Sequence, residues 1–537
     1  MAHEMVPYLH ILLTLCNMSK QTRYVTTPIY YVNDRPHIGH VYTTTLCDVY
    51  ARAMRDLGHA VFFLTGTDEH GVKVEQSAID KGMSPQDLAD QNSAEFKSIM
   101  GMFDLTNDAF IRTTDPEHMR QVQAFVSKLL ERGDVYLGTF EGWYDEGQEE
   151  YHTETSARDL EYTSPISGKP LLRATEKNYY FKLSAYQERL EELFKTNPDF
   201  VQPSSRRNEV LGRLREGLQD VPISRTNFSW GIPMPGDDEH VIYVWIDALF
   251  NYITALGLGD PTSEWYKNRS DYWPASFHVI GKEILWFHSV IWPAVLMALE
   301  YPLPGCVYAH SFWISEGRKM SKSLGNFIDL EAIESYVAEY GMDAWRYYLT
   351  TQGPLGATDA DFATEKFKEI YNAHLVNTVG NSTSRVTAMI CKYYDGVVPT
   401  EFDGDTRIET AEFDWPAKCK EAVTQWETAM ESFSIAKAIE QGMQLIRDVD
   451  LFINDTAPFK LAKDDTKQAE LGAILYQCLE TLRIATLLLS PALPMKMKEF
   501  QDAIGTGLCS ENLIEAAGWG LLKPGTTVAK VALFPRV

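Results

Sequence analysis

The sequence predicts an α/β protein with a doubly wound parallel sheet, which is interrupted by an inserted domain and followed by an all-α helical bundle. Three patterns support this prediction. A buried strand, an amphipathic helix and a second apolar strand follow one another between residues 22 and 64, and such a βαβ unit implies parallel strands. From Asp134 the sequence alternates and is rich in turn residues. From about residue 371 the apolar residues recur at helical spacing.

Length, composition and charge exclude several classes of protein. The 537 residues are 45% hydrophobic, which is enough for more than one domain with a large core. The seven cysteines are scattered without a Cys-x-x-Cys pair, which favours a reducing, cytoplasmic setting and excludes a thiolate zinc site. No apolar run approaches the ~20 residues that span a bilayer, so no membrane contact is expected. The net charge of −25 argues against DNA binding and restricts any RNA to local basic surface.

The first βαβ unit carries a histidine pair at its strand-to-helix junction. The strand at 24–27 stops at Pro28, and His37-Ile38-Gly39-His40 precedes a helical stripe that ends at Gly58. The N-terminus of a helix beside the carboxyl edge of a parallel sheet favours a phosphate. Gly39 leaves room for a ligand, and His37 and His40 can reach the same object. A metal-bound pair and two solvated loop histidines remain open on this motif alone.

A basic loop forms the second motif. Arg318-Lys319-Met320-Ser321-Lys322-Ser323 follows the apolar run 312–314, and alone it would be an ordinary solvated loop. Together with His-Ile-Gly-His upstream, it resembles the HIGH and KMSKS signature pair of class I aminoacyl-tRNA synthetases. That resemblance implies catalytic roles for His37, His40, Lys319 and Lys322, and an ATP site that consists of His37, Gly39, His40, Lys319, Ser321 and Lys322.

From about residue 22 to the C-terminus the sequence resembles the methionyl-tRNA synthetase family. The matching segments are 26–33, 65–71, 143–151, 220–225, 243–252 and 278–288. The resemblance implies that methionine is bound by Ile29, Tyr31, Asp68, Trp245, Tyr252, Ile284 and His288, with Asp68 holding the ammonium group. A carboxylate after a strand does face the ligand crevice of such sheets. The alternatives are a helix cap for Asp68 and ordinary core positions for Trp245 and Ile284.

The inserted region departs from the family at its metal site. Asp145 and Gln148 stand where the family has a Cys-x-x-Cys pair, and the second pair is also missing. Because an Asp–Gln pair is a poor substitute for zinc thiolates, the sequence predicts an insertion without structural zinc and no other metal site in the protein.

The resemblance also implies the reaction and the domain limits. L-Methionine and ATP, which arrives with Mg²⁺, give methionyl-adenylate, and the methionyl group passes to the 3'-terminal adenosine of tRNA(Met). The implied division is 1–21 tail or linker, 22–133 first half of a Rossmann-like catalytic domain, 134–244 inserted domain, 245–315 second half, 316–370 KMSKS loop and stem-contact region, and 371–537 anticodon-binding domain. The patterns do not indicate contacts in a dimer or a multi-synthetase complex.

The helical region carries the residues expected to contact the anticodon. Asn381 and Arg385 match the family's Asn-x-x-x-Arg, which places an amide and a guanidinium one turn apart. Such groups suit exposed base edges, and Phe459, where the family usually has Trp, suits base stacking. The alternative is that Asn381 and Arg385 are surface residues and that Phe459 belongs to the core.

Two other functions remain as alternatives. The same signature pair occurs in the synthetases for cysteine, leucine, isoleucine and valine, but the bulky ones carry a larger editing insertion than 134–244. The cysteine enzyme uses zinc thiolates that this sequence lacks. A catalytically silent tRNA-binding paralogue would not need His37, His40, Lys319 and Lys322 to be intact.

Overall fold

The structure is a computed structural model that describes residues 21–32, 35–145, 150–152, 154–315, 317–320, 326–399, 413–508 and 512–537. The strands are β1 Thr22–Thr26, β2 Tyr30–Tyr31, β3 Ala60–Asp68, β4 Ala109–Arg112, β5 Val135–Asp145, β6 Glu150–His152, β7 Leu172–Phe181, β8 Val201–Gln202, β9 Val221–Pro222, β10 Ser224–Arg225, β11 Pro233–Met234, β12 Asp237–Ile242, β13 Phe277–Gly281, β14 Cys306–His310, β15 Trp313–Ser315, β16 Arg318–Lys319 and β17 Ala360–Phe362.

Helices and strands are interspersed up to β17, and the regular elements described beyond it are helices. They are α1 Ile38–Asp56, α2 Val72–Lys81, α3 Pro85–Met102, α4 Pro116–Glu131, α5 Glu154–Asp159, α6 Gln187–Thr196, α7 Ser204–Leu214, α8 Val244–Thr254, α9 Glu264–Arg269, α10 Trp292–Leu299, α11 Leu330–Tyr340, α12 Met342–Gln352, α13 Thr364–Ile370, α14 Asn381–Tyr393, α15 Trp415–Glu431, α16 Ile435–Thr456, α17 Pro458–Leu461, α18 Gln468–Leu489, α19 Pro494–Ala503 and α20 Leu513–Ala516. Single turns of 3₁₀-helix and two π-helical segments, Phe287–Ile291 and Tyr371–Gly380, complete the helical structure.

The main sheet has seven strands in the order β2-β3-β1-β13-β14-β8, with β4 beside β3. Its strand pairs are parallel. Neighbouring residues on β1 enter different cores: Val25 packs with α1, and Tyr24 packs with α4, α8 and α10. Both faces are therefore covered, as a parallel sheet requires, and the predicted doubly wound α/β fold is confirmed.

The first βαβ unit places the carboxylate of Asp68 at the edge of the sheet. The predicted strand at 60–64 continues to Asp68, because Tyr30 and Tyr31 of β2 pair with its last two residues. Strand β4 lies between α3 and α4. That four-residue strand pairs with β3 and is too short to show a period of its own.

The region 134–244 is divided between two bodies. A sheet of order β6-β5-β7-β9 and a smaller sheet of order β10-β12-β11 stand apart from the main sheet. In the chain, β8 lies between β7 and β9, but it pairs with β14 at the edge of the main sheet. Phe200 and Val201 are buried there. The predicted limits of the inserted domain, 134–244, stay a prediction. Within them, β8 is a two-residue strand that pairs with the main sheet and leaves no sequence pattern.

The helical region is built around α18. The predicted stripe, which includes Leu471, Leu482 and Leu489, is fully buried, but so are most residues on the other faces of this helix. The segment Asp465–Leu489 is long and apolar enough to cross a membrane, yet 94% of its apolar window is buried inside the protein. It is the central helix of a bundle, where neighbouring helices cover it on all sides.

Buried polar and aromatic contacts join the helical region to the sheet. Arg346 of α12 donates to Asp48 of α1 at 2.6 Å and to the carbonyl oxygens of Pro491 and Ala492 at 3.0 and 3.2 Å. Both charged side chains are fully buried. Phe433, in the turn after α15, inserts its ring among three aromatic rings of the α/β body, at centroid distances of 5.1–5.4 Å from Tyr50, Phe277 and Tyr308.

Candidate active site

A cavity of about 400 Å³ opens at the carboxyl edge of the main sheet, between β2, the start of α1, α8 and the end of β13. Ten of the predicted site residues line it: Ile29, Tyr31, His37, Gly39, His40, Asp68, Trp245, Tyr252, Ile284 and His288. Lys319 lies on β16, where only its main chain is described, and Ser321 and Lys322 lie outside the described residues. The structure thus brings the predicted histidine pair and the predicted methionine pocket into one space.

The two histidines of the first motif form a reciprocal cap at the start of α1. The Gly39 N–H donates to Nδ1 of His37 at 3.0 Å, and the His37 N–H donates to Nδ1 of His40 at 3.2 Å. Because each Nδ1 accepts a hydrogen bond, the neutral form of each ring carries its proton on Nε2. Desolvation, with a smaller contribution from His37, holds the pKa of His40 well below its usual value. The pair therefore offers two N–H donors at a helix N-terminus.

Packing fixes the orientation of this cap. The His37 and His40 rings lie 3.9 Å apart between centroids, and His40 also contacts Tyr30 and Phe96 edge-on at 4.7 and 5.1 Å. A Cβ atom at Gly39 would lie 2.9 Å from Cε1 of His37. A glycine is therefore needed at position 39 for the ring of His37 to fold back over the start of α1. It also leaves room for any ligand that approaches there.

A hydrogen-bonded chain supports the pocket wall opposite the cap. Nδ1 of His288 lies 3.0 Å from the Ile284 carbonyl oxygen, and Nε2 of the same ring lies 2.7 Å from the Tyr252 hydroxyl oxygen. A carbonyl only accepts, so Nδ1 carries the proton and Nε2 accepts from Tyr252. Burial lowers the pKa of His288 to about 4. The ring is therefore neutral near pH 7, and Tyr252 keeps one orientation.

Aromatic and acidic side chains complete the pocket. Trp245 stacks on Phe287 at 4.3 Å with an interplanar angle of 13°. Asp68, the last residue of β3, is 8% exposed and lies in register with Tyr31. A carboxylate at a cavity wall can bind a cationic group of a ligand.

Other residues that the sequence did not predict also line the cavity, among them Lys73, Asn251, Gly281, Glu283 and His310. The Thr43 hydroxyl donates to His310 Nε2 at 2.8 Å, since Nδ1 of that ring donates to the Ser311 carbonyl. Burial lowers the pKa of His310 to about 4. Gly281 and His310 are the last residues of β13 and β14. Their place at the carboxyl ends of central parallel strands was the signal that could have identified them.

The predicted anticodon residues lie on the helical region. Asn381 is exposed at the start of α14, and one turn later Arg385 donates to the side-chain oxygen of Asn454 at 3.4 Å. Phe459 in α17 is 45% exposed, so the alternative that it is a core residue is wrong. Asn454, which the sequence did not single out, is a further member of this surface.

The predicted metal-free insertion stays a prediction. Asp145 ends β5 and is 2% exposed, whereas Gln148 lies outside the described residues. Within the described part of the chain, no group of three or more His, Cys, Asp or Glu side chains is placed to hold a metal ion.

Comparison with known proteins gives this site a context. The chain matches the family model for "tRNA synthetases class I (M)" over residues 23–170 and 156–387. The structure superimposes on the solved Mycobacterium tuberculosis methionyl-tRNA synthetase in complex with methionyl-adenylate with a TM-score of 0.86 and 35% identity, covering 96% of this chain and 100% of that one. With this match, the parallel sheet and its His-Ile-Gly-His helix start have the fold of a class I aminoacyl-tRNA synthetase.

Sequence relatives specify the family. The methionine–tRNA ligase of Caldanaerobacter subterraneus is 44% identical over 526 residues, covering 96% of this chain and 79% of that protein. The methionine–tRNA ligase of Rickettsia felis is 41% identical over 520 residues, covering 96% of this chain and 99% of that protein. The chain belongs to the methionyl-tRNA synthetase family.

Proposed function

We infer that the protein activates L-methionine with ATP to methionyl-adenylate and transfers the methionyl group to the 3'-terminal adenosine of tRNA(Met). The observation that carries this inference is the single cavity shared by the histidine cap and the aromatic pocket with its carboxylate. One end suits the phosphates of a nucleotide and the other a small amino acid with an apolar side chain. The two reactants of an adenylation are thereby held side by side.

Activation requires positioning more than proton transfer. A methionine carboxylate is ionised at neutral pH and attacks the α-phosphate directly, with pyrophosphate as the leaving group. The residues then act by orienting the carboxylate and stabilising charge on the phosphates. His37 and His40 supply fixed N–H donors for the phosphates at the start of α1, which also favours negative charge.

Methionine is selected by shape and by its ammonium group. Its side chain offers a polarizable sulfur, for which aromatic contacts contribute ~0.3–1.5 kcal/mol each. Trp245 and Tyr252 provide such walls, and Ile29, Tyr31, Ile284 and His288 close the space around them. Asp68 pairs with the ammonium group, which every amino acid carries, so it contributes affinity while the aromatic walls contribute selectivity.

The KMSKS segment supplies further charge. In the proposal, Lys319 and Lys322 close on the triphosphate with Ser321, and Lys322 is the first candidate for contact with the departing pyrophosphate. Mg²⁺ enters with ATP as part of the nucleotide substrate.

We assign the reaction to the cytoplasm, because unpaired cysteines such as buried Cys47 and Cys306 suit a reducing compartment.

Methionine alone among the common amino acids is expected to support rapid ATP–pyrophosphate exchange by the purified protein. The reason is that only an unbranched thioether side chain fills the pocket between Trp245 and Tyr252, and one missing methylene costs a competitor ~1–3 kcal/mol. The measurement is the exchange rate with each amino acid at equal concentration. Robust exchange with leucine or cysteine and none with methionine would assign the protein to another synthetase, and no exchange with any amino acid would favour the silent paralogue.

The helical region is proposed to read the CAU anticodon of tRNA(Met). Asn381 and Arg385 provide hydrogen-bonding groups for base edges, and the exposed ring of Phe459 provides a stacking surface. The Asn454 contact holds the Arg385 guanidinium near one position on the surface before RNA arrives. Such preorganisation lowers the cost of ordering the side chain on binding.

Replacing Arg385 with alanine is expected to lower kcat/KM for tRNA(Met) charging by at least about tenfold, since a good base contact contributes ~1–3 kcal/mol. Methionine-dependent exchange needs no tRNA and should be unchanged. Phe459→Ala should follow the same pattern by a loss of stacking worth ~1–3 kcal/mol. Lys420→Ala, which removes an exposed cation from α15 of the same region, is the control for net charge. Normal charging by Arg385→Ala, or loss of exchange as well, would contradict the proposal.

A further inference from the structure

A buried carboxylate lies behind the methionine pocket and is held by two histidines. Asp247, in the first turn of α8, accepts a hydrogen bond at Oδ2 from His70 Nδ1 and one at Oδ1 from His118 Nε2, both at 2.7 Å. The three side chains are at most 4% exposed. Burial acts to raise the pKa of Asp247, but attraction to His70 and the hydrogen bonds from both rings hold it below its usual value. The group is therefore an ionised carboxylate.

The protonation of the two rings follows from this contact. A carboxylate only accepts hydrogen bonds, so His70 donates from Nδ1 and His118 donates from Nε2. Nδ1 of His118 lies 2.7 Å from the hydroxyl oxygen of Thr254. Since Asp247 stands in the first turn of α8 and Thr254 is its last residue, His118 binds both ends of this helix.

The cluster cross-links the two elements that carry the pocket. Asp68 precedes His70 by two residues, and the intervening Glu69 binds Arg112 through two hydrogen bonds at 2.7 and 2.8 Å. The other face of α8 lines the cavity with Trp245, Ala248, Leu249 and Tyr252. The hydrogen bond between His70 and Asp247 is thus a direct link from the strand end that bears the ammonium-binding carboxylate to the helix that bears the aromatic wall. Neither His70 nor Asp247 lines the cavity itself.

This link matters because methionine is bound at two ends. In any one bound conformation the ammonium group and the thioether of methionine stand at one distance from each other, so Asp68 and Trp245 must stand at a matching distance. A displacement of about 1 Å between such groups can cost on the order of 100-fold in rate. Charged groups are rarely buried unless they are paired with another group or serve a function. Here three titratable side chains are buried directly behind the pocket.

We propose that Asp247 is a positioning residue that acts through His70 to fix Asp68 relative to the aromatic wall on α8, and thereby sets the affinity for methionine. The proposal rests on the function proposed above. It concerns ligands that engage both ends of the pocket, and it predicts little change for ligands that engage only one. A residue that merely stabilised the pocket would affect both kinds of ligand alike.

The test uses Asp247→Asn in the full-length protein. The amide turns its NH2 group toward one imidazole and its neutral oxygen toward the other, so in either orientation His70 loses its charged acceptor. The KM for methionine in pyrophosphate exchange should rise at least about tenfold, with kcat and the KM for ATP within about threefold. Two competitive inhibitors complete the test. The affinity for methioninol, which keeps the ammonium group, should fall in parallel with that for methionine. The affinity for 4-(methylthio)butanoate, which lacks the ammonium group, should be equal in wild type and variant.

Two variants of His70 keep the proposal testable if Asp247→Asn folds poorly. His70→Asn retains an N–H donor near the Nδ1 position and should keep the KM for methionine near the wild-type value. His70→Phe retains a ring against Trp230, which His70 contacts edge-on at 5.3 Å, but removes the donor and should raise that KM. Equal KM values for the two variants would overturn the proposal.

A second buried carboxylate provides the matched control. Asp343 is 2% exposed and accepts a hydrogen bond from the main-chain N–H of Lys496 at 2.6 Å, away from the cavity. Asp343→Asn should affect thermal stability without changing the KM for methionine. Equal weakening of both inhibitors by Asp247→Asn, or no weakening of either, would overturn the proposal. Failure of the wild-type protein to use methionine would instead overturn the proposed function.

Discussion

Replacing His40 with asparagine is expected to lower kcat for methionine-dependent ATP–pyrophosphate exchange by about 100- to 1000-fold, because one preorganised donor to a developing anion contributes about 2.7–4 kcal/mol. The asparagine oxygen can take the place of Nδ1 and still accept from the His37 N–H, so the cap at the start of α1 is retained. What the variant loses is the Nε2–H donor. The KM for methionine should change little, since the amino acid occupies the other end of the cavity.

The complementary substitution separates the two functions of the ring. His40→Gln reaches the position of Nε2 with an amide N–H and leaves the cap without its acceptor, which costs about 1 kcal/mol of stability. We expect its kcat to fall less than about tenfold while its melting temperature falls more than that of His40→Asn. The opposite order in kcat would mean that His40 serves the helix cap and that phosphate binding depends on other groups.

Asp68→Asn is expected to raise the KM for methionine by two to three orders of magnitude. Breaking a buried ion pair by removing one charge costs about 3–5 kcal/mol, and the ammonium group of the ligand would be left in the cavity without its partner. The change keeps the size of the side chain, so the register of β2 and β3 should be preserved. The measurement is the KM in exchange, with methioninol and 4-(methylthio)butanoate as inhibitors.

The two inhibitors identify the charge as the cause. Methioninol should lose as much affinity as methionine, while 4-(methylthio)butanoate, without an ammonium group, should bind the variant at least as well as wild type. Asp56→Asn, which changes a carboxyl group at the far end of α1, is the control and should leave the KM unchanged. If Asp68→Asn weakened both inhibitors equally, the residue would serve the shape of the pocket and the ammonium group would be bound elsewhere.

Local patterns were enough to predict the parts of the site that lie at element junctions. His37 is the N-cap of α1 and Asp68 ends β3, as the sequence predicts, because both positions follow from where a strand stops and a helix starts. Tyr252, Ile284 and His288 were identified through resemblance to whole motifs. Their hydrogen-bonded chain was not predicted, since it depends on the packing of α8 against a π-helical turn.

Long-range pairing accounts for what the sequence did not predict. Strand β8 is two residues long and joins the main sheet only because β14 lies beside it. His310 ends β14 and Glu283 lies in the turn after β13, and no local period encodes the order of these strands in the sheet. Asp247 appears within a predicted motif, but its two histidine partners are 129 and 177 residues distant in the chain.

The ring of Phe433 has a consequence for how the chain can be divided. It fills a space among three aromatic rings of the α/β body, and Glu431 beside it binds Arg23 at 3.0 Å. A fragment that ended at residue 370 would expose those rings to water and remove the carbonyl oxygens of Pro491 and Ala492 that accept from the Arg346 guanidinium. The α/β part and the helical part proposed to read the anticodon therefore share one packed interface, and neither can be exchanged for a foreign module without rebuilding these contacts.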